Sequence, residues 1–332
     1  MADFGTRKER GFVKFGAASL ALFGGLWPAS SSAQMAAASP ARFYTCSAFP
    51  NKNFFPRNLA AGLRDPKNAE RDYLSGEKFR LGRGVPRNAT TAASWYRRAA
   101  EEGDARAQLQ LGLAYQKGSG VKRDDAEAAK WLERAAEQDV SFAQYSIGRI
   151  YYYGTGVKKS EREALKWYVK AATHGEARAQ YALGSMYYDG EGGAQSYKAA
   201  MKWYRQAADQ SYPCAENAVG MMYENGLGVP QNYSAAASWY GKAAAHGVAT
   251  AQNSLGGLYE HGKGLTRDYV KAVSYYRLAA LQGDSDGEYH LGRMFEMGYG
   301  VRKHRDEALR WYRKAAHGGD EDAKLHLAAL QA

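Results

Sequence analysis

The seven histidines, His174, His246, His261, His290, His304, His317 and His326, are the side chains in this 332-residue sequence best suited to proton transfer or metal ligation. Their placement supports neither use. No two share one helical face at the spacing a zinc site needs. His174 and His246 fall at equivalent helix ends, where a partly charged imidazole suits the helix dipole. Gly118-Ser119-Gly120 and Gly154-Thr155-Gly156 have the composition of a phosphate cradle, but they end helices instead of opening one, and no Lys-Ser or Lys-Thr follows in the needed register. The carboxylates are scattered over helix phases expected to face water, so no acid–base pair is nominated. No Ser-x-x-Lys nucleophile stands in a suitable setting. The sequence therefore assigns no catalytic residue, no metal ligand and no cofactor. The chemistry it does offer is recognition: Phe142, Tyr145, Arg149 and Tyr152 are followed 36 residues on by Arg178, Tyr181, Ser185 and Tyr188. Aromatic rings beside arginine are common interface anchors, with large contact area and little rotamer entropy to lose.

These side chains must be positioned by a repeat. Glycine recurs at 76, 112, 148, 184, 220, 256 and 292, a spacing of 36 held without an insertion, and two further glycine series, starting at 82 and 84, keep the same period. Each unit reads as two helices. The first, such as 104–117, carries Ala107, Leu111, Ala114 and Tyr115 on one face and is closed by Gly118. The second opens at a phase occupied by Asn88, Asp124, Ser160, Ser196, Asn232, Asp268 and His304, six of which are good N-caps. Its buried face uses the phases of Ala128, Trp131, Leu132 and Ala135. Six of the seven tryptophans share one phase, 95, 131, 167, 203, 239 and 311, with Tyr275 as the substitute. Glycine inside a helix costs about 1 kcal/mol against alanine, so Gly112 and its equivalents need a cause. A close crossing of a neighbouring helix is the expected one. No single hairpin can bury its own apolar face, so stacking is what makes the core.

The pattern A-x-A-x-x-x-L-G-x-x-Y-x-x-G-x-G-V, then A-x-x-W-Y-x-x-A-A-x-x-G, resembles the Sel-one-like repeat, a relative of the tetratricopeptide repeat. The likeness covers residues 68–319, whereas the 34-residue period and the proline phase of the tetratricopeptide repeat are absent. The expected fold is all-α: a right-handed α-solenoid of seven 36-residue helix-turn-helix repeats at 68–319, with a C-terminal capping helix at 320–332. In related solenoids the first helices line the concave surface. The first-helix phases 106, 109, 113 and 116 vary most among the seven copies and fall on one face, so the resemblance makes that face the groove. Its third and fourth units are aromatic and basic, and its later ones turn polar and acidic. Phe142, Tyr145, Arg149, Tyr152, Arg178, Tyr181 and Tyr188 are the expected partner-binding residues, with the arginines pairing acidic groups of the partner. Some cysteine-rich secreted members of the family are described as binding or degrading penicillin-like compounds, but this chain lacks their regular cysteine pairs.

Upstream, Arg7, Lys8, Arg10 and Lys14 precede an apolar run from Phe15 to Trp27, then Pro28 and small residues. That is the layout of a signal peptide ending at residue 33. The alternative is an inner-membrane anchor through residues 15–27, although thirteen residues fall short of the roughly 20 a spanning helix needs. Loss of 1–33 removes four basic and two acidic residues and lowers the net charge from +11 to +9. Residues 34–67, with Pro40, Pro50, Pro56 and Pro66 among several aromatics, read as a linker or an arm docked on the first unit. Cys46 and Cys214 are far apart in sequence; a bridge between them is one alternative, and their spacing speaks against it. The resulting picture is a bacterial periplasmic or secreted, non-enzymatic scaffold, adaptor or regulator holding another protein or an extended peptide segment. The competing readings are an envelope module for peptidoglycan or anionic polysaccharide, in keeping with the charge, and more weakly a β-lactam-binding or hydrolysing enzyme. Nucleic acid is not an expected partner outside the cytoplasm, and contact with the membrane is expected only through the signal or an uncleaved anchor.

Fused to a reporter, residues 1–40 are expected to carry it across the inner membrane of a bacterial host. Retention of the fusion in the cytoplasm would remove the periplasmic assignment.

Overall fold

The computed structural model describes residues 66–331. The expected signal segment at 1–33 and nearly all of the arm at 34–67 lie outside the described residues. Fifteen helices and no strand are present among them. They run as α1 (Pro66–Leu81), α2 (Ala89–Glu101), α3 (Ala105–Lys117), α4 (Asp125–Glu137), α5 (Ser141–Tyr153), α6 (Glu161–Thr173), α7 (Ala177–Asp189), α8 (Tyr197–Asp209), α9 (Pro213–Asn225), α10 (Tyr233–Ala245), α11 (Ala249–His261), α12 (Tyr269–Ala280), α13 (Ser285–Met297), α14 (Arg305–His317) and α15 (Glu321–Gln331). Odd-numbered helices are the first of each hairpin and even-numbered ones the second. Each helix packs chiefly on the helix before it and the helix after it. This is an all-α solenoid of seven hairpins, and α15 closes it by packing on α14.

Local chemistry sets the helix ends. All seven residues of the second-helix start phase cap their helix. Six do so as expected, such as Asn88 Oδ1 accepting from Thr91 N at 2.9 Å. The seventh, His304, does the same with Nδ1, which accepts from Glu307 N at 3.3 Å. An imidazole nitrogen with a free lone pair thus replaces the usual side-chain oxygen. At the other end of each first helix from α3 to α13 a glycine takes the left-handed conformation, as Gly118 does at φ 67°, and the backbone reverses without a Cβ penalty.

The mid-helix glycine faces a closely crossing neighbouring helix, as expected, and that helix is the second one of its own hairpin. A Cβ on Gly184 would lie 2.6 Å from Cδ1 of Tyr204, which belongs to the second helix of the same unit. Gly76, Gly148, Gly220, Gly256 and Gly292 meet Tyr96, Tyr168, Tyr240, Tyr276 and Tyr312 in the same way, and Gly112 meets Leu132. The glycine is therefore a notch for its own hairpin's tyrosine ring. Tyr168, Tyr240, Tyr276 and Tyr312 are among the largest fully buried side chains. The tryptophans do the joining between units: Trp131, Trp167, Trp239 and Trp311 are buried in clusters built on the preceding unit's second helix. Trp95 and Trp203 are half-buried.

Polar groups bind the units as well. Gln108, Gln144, Gln180 and Gln252 are buried and donate from Nε2 to the carbonyls of Ala100, Ala136, Ala172 and Ala244, at the end of the preceding second helix. Their Oε1 atoms accept from Gln138, Gln210 and Gln282 at 2.8 Å, or face His174 Nδ1 at 3.0 Å. In the fifth unit Glu216 replaces the glutamine, and His246 Nδ1 lies 2.9 Å from it. His174 and His246 are therefore rungs of an inter-unit ladder.

Helix propensity alone makes Gly184→Ala stabilising by about 1 kcal/mol. The occupied notch reverses the sign: overpacking against Tyr204 is expected to destabilise the variant by about 1–3 kcal/mol. A denaturation midpoint raised by the substitution would show that the ring does not fill the notch.

Candidate functional site

The periodicity of α5 places Phe142, Tyr145, Arg149 and Tyr152 along one stripe, and α7 places Arg178, Tyr181 and Tyr188 along the next. Between units these first helices interact through side chains. Arg178 Cζ stands 5.3 Å from the Phe142 ring centre, and one unit from the start Arg106 stands 4.4 Å from Tyr73. Further along, α11 and α13 touch directly and Arg293 pairs with Glu260.

The aromatic and basic set forms one cluster in its central part. Tyr145 lies 6.0 Å from Phe142 and 5.9 Å from Tyr168, centre to centre. Arg149 Cζ is 5.9 Å from the Tyr145 ring. Burial pushes the Tyr145 hydroxyl above its usual range, and the positive charges of Arg149 and Arg178 oppose that rise. Tyr181 lies 5.5 Å from both Tyr204 and Tyr212. Burial also pushes Tyr212 up, with Tyr145 and Tyr181 next among the causes. Tyr152 and Tyr188 stand apart from this centre. The Tyr152 hydroxyl donates to Glu191 Oε2 at 2.7 Å across the unit boundary, and Tyr188 packs 5.2 Å from Tyr197.

The rings are less open than the sequence suggests. Phe142 and Tyr152 are buried, at 8% and 6% exposure, and Tyr145, Arg149, Arg178, Tyr181 and Tyr188 are half-buried. Tyr212, the N-terminal residue flanking α9, completes the cluster, and the repeat pattern does not single it out because its phase is a helix start. The acidic end of the stripe is occupied too: Glu224, Glu260 and Glu296 accept from the hydroxyls of Tyr240, Tyr276 and Tyr312 at 2.7, 2.7 and 2.5 Å. Those carboxylates hold the notch tyrosines, a link 16 residues long that no single-helix period reveals.

Cys214 sits on the same stripe, in the row Arg106, Phe142, Arg178, Cys214 at 36-residue intervals. It is disulfide-bonded, which corrects the reading taken from spacing. Separation along the sequence says nothing of separation across a stack of units. Elsewhere His290 is half-buried, stacked 4.9 Å from Tyr276 with Tyr289 beside it. Its Nδ1 is enclosed and has no hydrogen-bond partner among the described residues. Desolvation, then the charges of Arg293 and His261, push its pKa down to about 3. Among the described residues no group of three His, Cys, Asp or Glu side chains is placed to hold a metal ion, and no helix is long and apolar enough to cross a membrane.

The family model described as Sel1 repeat matches seven times, at residues 76–104, 105–140, 141–176, 177–212, 215–248, 249–284 and 285–320. No curated protein matches the chain. Among solved structures, a protective antigen present in uropathogenic Escherichia coli strains, displaying an SLR fold, is 37% identical with a TM-score of 0.73. The match covers 79% of this chain and 56% of that one, so the chain corresponds to little more than half of that relative. A Sel1 repeat protein from Oxalobacter formigenes is 34% identical with a TM-score of 0.66, over 80% of this chain and 77% of that one.

The neutral state of His290 has a consequence for pH. Its folded pKa lies below the ordinary value of about 6.5, so the unfolded chain takes up the proton first as pH falls, and stability is lost from about pH 6.5 down to about pH 3. Measured against His290→Phe, the wild-type chain is expected to lose about 2 kcal/mol more between pH 7 and pH 5. Parallel stability profiles for the two proteins would contradict this.

Proposed function

The chain belongs to the Sel1 repeat family, and on that footing we propose that it is an exported, non-enzymatic scaffold whose first-helix face holds a segment of another protein. The observation that carries the reading is the central cluster of Phe142, Tyr145, Arg149, Arg178, Tyr181 and Tyr212. Two guanidinium groups stand among rings that are buried (Phe142, Tyr212) or half-buried (Tyr145, Tyr181), on helices packed between neighbouring helices of the stack. Side chains held this way lose little freedom on binding, so most of their contact energy reaches the complex. An extended segment with a carboxylate between apolar residues fits: the arginines take the charge and the rings take the flanking side chains. The basic apolar start of the sequence supports export to the periplasm or beyond, and nothing in the site calls for a cofactor.

Tyr152 is a poor probe of binding, because its buried ring and its bond to Glu191 join two units. Arg149 and Arg178 are better ones. Crosslinking in intact cells, followed by mass spectrometry, defines what the wild-type protein captures. Replacement of both arginines by glutamine is expected to lower capture by about tenfold or more, since hydrogen bonds to charged groups contribute about 1.5–3 kcal/mol each, with the α-helical circular-dichroism signal retained as the check on folding. Undiminished capture by that variant would refute the reading.

A further inference from the structure

We propose that the first-helix face is covered by the chain's own residues 46–65, threaded along it from α9 back to α1 and pinned by a disulfide between Cys46 and Cys214. The starting point is Cys214. It is disulfide-bonded, and the sequence contains one other cysteine, Cys46. Cys214 is also buried, at 8% exposure, within a cluster that includes Tyr212 and is flanked by Tyr181. A thin strand of polypeptide can reach a sulfur in that position. The broad surface of a second folded copy, offering its own buried Cys214, cannot do so without opening the cluster.

The length of chain then fixes the route. Cys46 is 20 residues ahead of Pro66, where α1 begins. Cys214 is the fifth member of the row Glu70, Arg106, Phe142, Arg178, Cys214, so the bridge lies four units beyond the equivalent position of α1. With helices packing about 8–10 Å apart, four units span about 40 Å. Twenty residues wound as one helix reach about 30 Å, which is too short. Extended, the same residues reach about 66–72 Å, which is ample. The arm therefore crosses α3, α5 and α7 in largely extended form. Pro50 and Pro56 suit that form, because each fixes φ and removes a helix donor.

Composition fits the surface that such a path crosses. Phe49, Phe54 and Phe55 lie between Cys46 and Pro66. Measured along the arm, Phe54 falls about two fifths of the way from Cys214 towards α1, over the part of the face where Arg178 meets Phe142 and where Tyr145 and Tyr181 stand. The docking itself does not depend on the function proposed above. Its consequence does rest on that reading: a partner segment would have to displace the arm. Reduction of the bridge is what frees the arm: a dithiol gives up two electrons and two protons, leaves as its own cyclic disulfide, and returns Cys46 and Cys214 to thiols.

Two measurements on the full chain test the proposal. A digest without reductant is expected to yield one peptide pair joining Cys46 to Cys214 within a single chain, lost on treatment with dithiothreitol. A photo-crosslinking benzophenone amino acid in place of Phe54 is expected to mark peptides of α5 and α7, and to lose that mark after reduction. Free thiols or a disulfide-linked dimer would overturn the proposal in the first measurement. Labelling confined to α1, α2 or a second copy would overturn it in the second. Neither readout uses the partner, so loss of partner capture in the arginine variant leaves both unchanged.

Discussion

The structure depends on one contact between backbones. The second glycine of each turn rests against the first residue of the preceding unit's second helix. A Cβ on Gly156 would lie 2.3 Å from the carbonyl of Asp125, and Gly120, Gly192, Gly228, Gly264 and Gly300 meet Ala89, Glu161, Tyr197, Tyr233 and Tyr269 in the same way. No side chain can give way there, because both partners are main chain. The contact fixes the distance from one hairpin to the next, and an inserted residue would break it. The unbroken 36-residue period is its trace in the sequence.

Once that spacing is fixed, everything between the units must match it. Alanines at the phases of 128, 135 and 136 keep the second helices close, tryptophan bridges to the preceding unit, and tyrosine enters the glycine notch of its own hairpin. The glutamine ladder satisfies a late carbonyl of α2, α4, α6 and α10 in a setting where an unpaired carbonyl would be costly. Most phases of the unit are taken up in this way. Side chains are free to differ between copies mainly along the first-helix stripe, and there the third and fourth units gather tyrosine and arginine. The same constraint that makes the fold repetitive thus confines recognition to one face.

Much of this is legible in the sequence because it is local. N-caps, left-handed glycines and the 3.6-residue face each depend on a few neighbouring residues. His304 escapes because an imidazole is a rare cap, although its nitrogen does the work of an oxygen. Contacts joining the two helices of a unit, or one unit to another, are harder to read. The sequence suggests a neighbouring helix crossing at Gly184, but not that the space is filled by the Tyr204 ring of the same hairpin. The Glu224, Glu260 and Glu296 carboxylates read as a polar surface and instead hold tyrosine hydroxyls. The bond at Cys214 depends on how far the stack carries one residue from another, which cysteine spacing does not record.

Gly156 and Gly175 separate the inter-unit contact from backbone strain. Both have positive φ, 76° and 84°, so alanine is strained at either. A methyl group on Gly175 would have nothing within 4 Å, whereas one on Gly156 would meet the Asp125 backbone. The most direct measurement is the free energy of unfolding of Gly156→Ala against Gly175→Ala. If backbone contact sets the spacing of the units, Gly156→Ala is less stable than Gly175→Ala by at least about 1–3 kcal/mol. Equal losses in the two variants would mean that the turn glycines serve only their own φ, and that something else holds the units at their distance.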